Sequence, residues 1–148
     1  MLCCRFVDLD AEIEARCGCT VAEIFARSGE AEFRRLEAQT LKDILETDGR
    51  VVALGGGAVM TPECERMVHG QTVCVYLKAS VDELVARLSS ETAGRPLLNT
   101  TDLRTRILNL MRQRAETYER VAHLVIDTDG KTIDQIAFEI TTLLPAKR

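Results

Sequence analysis

Residues 50–57 read Arg50-Val51-Val52-Ala53-Leu54-Gly55-Gly56-Gly57. The apolar run has no polar alternation, which is the pattern of a strand covered on both faces, as in parallel sheets. It stops in three glycines. Each costs about 0.5–1 kcal/mol against alanine in regular structure, so the compensation is expected to be a close backbone approach. The approaching group could be an anion or a sugar-like ring, with a plain tight turn as the alternative. Ligands of open α/β sheets gather at the carboxyl ends of strands, so the glycines mark where to look.

Working outward, strands are expected at Phe6–Leu9, Val51–Leu54, Val73–Leu77 and Leu124–Asp127. Helices fall between them. Ala11 to Arg16 is a short one. Thr20 and Glu23 form a capping box for a helix to Ser28, which Gly29 breaks. Glu30 to Thr47 is a longer amphipathic helix, with Phe33, Leu36, Thr40, Leu41 and Ile44 near a 3.6 period. Pro62 sits at the first position of the next helix. Ser80 with Glu83 and Thr132 with Gln135 mark two further capping boxes, and Thr101 to Val121 is a long helix. Strands alternating with helices predict an open parallel sheet with helices on both faces, in one domain spanning residues 1–148. A polar stretch at about 89–100 is the one long loop, of the kind a lid would use.

Composition narrows the function. The chain has 148 residues, 46% hydrophobic and 28% charged, enough for one core. A net charge of −4 argues against a general nucleic-acid binder. No apolar run reaches the ~18 residues of a membrane span, and the N-terminus does not resemble a signal peptide. A cytoplasmic protein, expected as a monomer with no membrane partner, follows. Fifteen of the 19 basic residues are arginine, the better fork for carboxylates and phosphates. The six cysteines match no common zinc spacing, and a disulfide framework is not expected; Cys64 and Cys74 are candidate core thiols.

Three features fall at the strand ends. Asp8 and Asp10 alternate, which would place both carboxylates on one side of the first strand's end. Such a pair can bind Mg²⁺ or take a proton from a hydroxyl; a helix cap is the simpler alternative. Gly55, Gly56 and Gly57 are the second feature. The third is a set of arginines. Arg34 and Glu37, three apart on a helix, share a face, and an arginine so held can grip a carboxylate. Arg95 lies in the polar loop, and Arg114 sits four residues before Tyr118. Each of these also fits a solvated surface arginine.

Taken in order, Phe6-x-Asp8-x-Asp10-x-x-Ile13-Glu14, then Gly29-Glu30 with Phe33-Arg34-x-x-Glu37, then Gly55–Gly57, Arg95–Leu98 and Arg114–Tyr118 resemble the shikimate kinases over nearly the whole chain. The resemblance implies a three-layer α/β/α fold of the P-loop kinase type and transfer of the ATP γ-phosphoryl to the 3-hydroxyl of shikimate, with ATP and Mg²⁺. It assigns Asp10 to the accepting hydroxyl and Asp8 to the metal. Arg34 and Arg114 go to the substrate carboxylate, with Glu37 holding Arg34. Gly55, Gly56 and Gly57 would line the ring, Arg95 would neutralise the transferring group, and Arg87 and Lys131 would flank the nucleotide.

The pattern departs from the family in one place. The family's central first strand, its G-x-x-G-x-G-K-[ST] phosphate loop and most of its first helix have no counterpart here. A chain truncated at that point is expected to expose sheet edges and to be unstable or inactive alone. A non-catalytic shikimate- or carboxylate-binding remnant, and a related kinase such as gluconate kinase, are the alternatives.

Overall fold

The computed structural model describes residues 2–91 and 100–145. Contacts group into two units, Met1–Thr72 and Val73–Arg148.

The first unit begins with β1 (Arg5–Asp8), which passes without a loop into α1 (Leu9–Cys17). The long helix α2 (Val21–Leu45) leads to β2 (Arg50–Ala53), then a 3₁₀ turn (Ala58–Met60) and α3 (Pro62–Gln71). β1 and β2 pair in parallel, with Asp8 opposite Ala53. Both strands therefore end on one edge, and the chain beyond Asp8 and beyond Ala53 emerges at the same place. The core beneath holds Leu9, Ile13, Ile24, Phe33, Leu41, Ile44, Cys64 and Val68. Of the apolar stripe expected on α2, only Leu36 is less than fully buried.

Thr20 caps α2 in the expected box, its hydroxyl accepting from the Glu23 N–H while the Glu23 carboxylate accepts from the Thr20 N–H. Gly29 breaks the helix as expected: its φ of 79° and ψ of 174° interrupt α2 as a kink. Phe25 and Phe33 meet across the bend with ring centroids 4.8 Å apart. That backbone conformation is essentially reserved for glycine. A Cβ added there would meet nothing within 4 Å, so only backbone strain opposes substitution. Gly29→Ala is expected to cost about 1–3 kcal/mol, seen as a lower urea midpoint at unchanged slope. An unchanged midpoint would show that the bend can straighten freely.

The second unit runs β3 (Val75–Lys78), α4 (Val81–Glu91), α5 (Thr100–Val121), β4 (Leu124–Asp127) and α6 (Ile133–Leu143). β3 and β4 are again parallel. Thr132 and Gln135 form the second expected box. At Ser80 only half of the third forms. Its hydroxyl accepts from the Glu83 N–H (3.2 Å), but Glu83 turns to Arg87 (2.8 Å), and the Ser80 N–H is taken by Asp129 (2.9 Å).

Two expectations need correction. The single open sheet is, among the described residues, two separate parallel pairs. Each unit contains its own strand–helices–strand crossover, so each closes its pairing locally. The strand at Val51–Leu54, expected to be covered on both faces, is also partly open. Phe6 and Val51 stand opposite each other across β1 and β2 and are 65% and 43% exposed. With only two strands in the pair, these two apolar side chains keep much of their surface open. In the second unit Ile133 and Phe138 of α6 are likewise exposed. No helix among the described residues is long and apolar enough to cross a membrane.

Candidate functional site

The site of the first unit is built at the shared carboxyl edge of β1 and β2. Asp8 ends the strand and caps the helix: its Oδ1 accepts from the Ala11 N–H at 3.0 Å. The helix starts at Leu9, so Asp10 lies in its first turn and not on the strand. This corrects the expectation that alternation sets both carboxylates side by side. The capping carboxylate makes helix geometry, not strand geometry, orient the second one.

Asp10 is half-buried. Its Oδ1 is fully covered and has no hydrogen-bond partner among the described residues. Burial, then the charges of Asp8 and Glu14, push its carboxyl above the usual range, while Arg34 pulls the other way. The Glu14 carboxylate accepts from the Val21 N–H (2.8 Å) and so ties α1 to the start of α2.

Arg34 and Glu37 form the expected pair, Nη1 to Oε1 at 2.7 Å, with Glu37 only 1% exposed. Burial raises the Glu37 carboxyl, and the hydrogen bond and charge of Arg34 oppose that rise. The Arg34 guanidinium also lies 3.7 Å from Glu30 and 5.2 Å from the centre of the Phe33 ring. Arg34 also lines a groove with Ala31, Arg35, Thr61 and Glu63. Cys64 is buried, and desolvation with the nearby Glu37 and Glu63 charges pushes its thiol up to about 11. It is an inert core thiol, as expected.

The glycines explain the proximity. A Cβ at Gly55 would lie 3.3 Å from each carboxylate oxygen of Asp10, and one at Gly57 would strike the Arg34 guanidinium. The groups that approach this backbone include the protein's own acid and arginine. Gly56 is exposed between them.

The remaining candidates belong to the second unit. Arg87 gives its Nε to Glu83 (2.8 Å) and its Nη2 to the Thr128 carbonyl (3.1 Å). Lys131 is paired with Glu139 at 2.6 Å. Arg114 is half-buried on α5. Arg95 and the lid at about 89–100, apart from residues 89–91 and 100, lie outside the described residues. No cluster of three metal-ligating side chains occurs among the described residues.

Parallel strands feeding helices, with a half-buried acid and a carboxylate-braced arginine against the loop after β2, define an α/β fold. The shikimate kinase family model matches residues 1–145. A shikimate kinase of Bordetella avium is 44% identical over 142 residues, 96% of this chain and 64% of that protein. The chain thus spans just under two thirds of that relative's length. Among solved structures, shikimate kinase from Bacteroides thetaiotaomicron aligns with a TM-score of 0.84 at 30% identity, covering 95% of this chain and 81% of that one. Shikimate kinase from Acinetobacter baumannii in complex with shikimate aligns at 0.82 and 30%, covering 94% and 77%. This chain belongs to the shikimate kinase family.

Proposed function

We propose that these residues form the acceptor side of a shikimate kinase, and that the first unit binds shikimate. The observation that carries this is the covered, unpartnered Oδ1 of Asp10, set against the same Gly55–Gly57 loop as the guanidinium of the Arg34–Glu37 pair. A buried acceptor with no donor invites a hydroxyl, and an arginine braced by a carboxylate suits a carboxylate ligand. Shikimate carries both groups.

Asp10 would accept a hydrogen bond from the 3-hydroxyl and take its proton as the oxygen is phosphorylated. Its raised carboxyl brings it closer to the range of a working base. Arg34 would hold the carboxylate and so fix which hydroxyl faces Asp10. The family's pattern alone extends the carboxylate role to Arg114 and the transfer role to Arg95.

When bound, ATP supplies the phosphoryl group and Mg²⁺ offsets its charge. Asp8 has one oxygen committed to its cap, which leaves the other for a hydrated cation. Arg87 and Lys131 already have internal partners that a nucleotide would have to share. The 148 residues contain no G-x-x-x-x-G-K-[ST] run, so the residues present do not supply a phosphate cradle. On this reading they bind shikimate but do not phosphorylate it by themselves.

Calorimetry tests the binding half. Shikimate should bind, and D-gluconate, an extended sugar acid, should bind at least about tenfold more weakly. A folded sample giving no heat with shikimate would remove the proposal. ATP-dependent phosphorylation by the 148 residues would overturn only the statement about transfer.

A further inference from the structure

We infer that Gly57 is a positioning residue for Arg34, and that through Arg34 it makes a carboxylate on the acceptor a requirement. The inference rests on the acceptor reading above.

Gly57 has φ −95° and ψ −5°, a backbone conformation open to any residue. Conformational freedom is therefore not why glycine stands there. Space is. A Cβ at this position would lie 2.9 Å from the Arg34 Cζ and 3.0 Å from Nη1, with Nη2 closer still. The colliding atoms are the far end of a long side chain, so the guanidinium yields and the backbone need not. It cannot yield without loss. Glu37 holds it at 2.7 Å, Glu30 lies 3.7 Å away and the Phe33 ring backs it at 5.2 Å. Gly57 faces the same guanidinium, and only a residue without a side chain lets it keep these three contacts.

Gly55 does a different job two residues earlier. A Cβ there would have the Asp10 carboxylate as its nearest neighbour, with the oxygens at 3.3 Å. Neighbouring glycines thus make room for two different groups, the acid and the cation. Changing one should disturb one half of acceptor recognition.

The test uses Gly57→Ala with two readouts. In the ligand-free protein, the Arg34 side-chain ¹⁵Nη resonances should be resolved in the parent and averaged in the variant. In calorimetry, shikimate affinity should fall about tenfold or more, as expected for a lost charge-assisted bond, while the methyl ester of shikimate binds both proteins alike. Unchanged Arg34 resonances, or equal losses for acid and ester, would overturn the inference. If Gly57→Ala fails to fold, adding it to Arg34→Met/Glu37→Leu, which removes both partners of the buried pair, decides: no further loss of stability supports a clash with the guanidinium, and an equal further loss refutes it. If the parent binds neither ligand while its Arg34 signals still collapse in the variant, the shikimate reading falls and the positioning role stands.

Discussion

Arg34→Met should lower the stability of the protein by about 3–5 kcal/mol at neutral pH, the largest loss expected from any single change at the site. The cost comes from Glu37, which is 1% exposed and has Arg34 as its cationic partner. Removing the arginine leaves a buried carboxylate without compensation. The carboxyl can escape by taking a proton, and this gives the prediction its sign. Burial already raises Glu37, and Arg34 opposes the rise; without Arg34 the group titrates higher still. A carboxyl whose folded value exceeds its unfolded one favours the fold when protonated. Its stabilising contribution is present below the unfolded value and is lost as pH rises through the folded one. The variant should therefore recover much of its deficit as pH falls towards about 4. Urea unfolding of parent and variant at both pH values measures this. An equal deficit at both would mean that lost packing, not the buried charge, is responsible.

Asp10→Asn should move activity and stability in opposite directions. Phosphoryl transfer, in a preparation that supports it, should fall by about 10²–10⁴-fold, the usual contribution of a positioned base. Shikimate affinity should change much less, because Arg34 remains. The fold should become more stable. Asp10 is held above its ordinary range by burial and by Asp8 and Glu14, and its covered Oδ1 lacks a partner. Relieving a buried, unsatisfied charge is worth about 1–3 kcal/mol, or several degrees in melting temperature for a chain of this size. A variant that lost activity and also melted earlier would identify Asp10 as a structural residue.

Local features were the most legible in the sequence. Thr20 with Glu23 and Thr132 with Gln135 cap their helices because a cap is settled within four residues. The Arg34–Glu37 pair was readable for the same reason, since helical spacing alone brings the two together. The Ser80 box was only half right, because Asp129, 49 positions away, takes the donor that Glu83 would have used. Pairing of the strands was harder. Apolar runs such as Val51–Leu54 announce a strand but not how many neighbours it has, so one sheet was expected where two pairs stand. The role of the glycines was legible as a close approach, but not what approaches. Gly57 and Arg34 are distant in sequence and become neighbours only once the turn after β2 lies against α2. The second unit's candidates, Arg87 and Lys131, expected to flank the nucleotide, are engaged by Glu83, Thr128 and Glu139, partners that the family pattern does not announce.

The junction at Asp8 limits how this chain can vary. The last strand residue is also the helix cap, so no spacer separates the sheet from the turn that carries Asp10. Each helical residue advances the side chain by about 100° around the axis. A single insertion or deletion between Asp8 and Asp10 would thus swing the acid away from Gly55 altogether. A substitution there changes one group, whereas an indel would dismantle the geometry. Differences in length have to be absorbed elsewhere, and the spacing of the two aspartates becomes a tighter constraint than the identity of the residue between them.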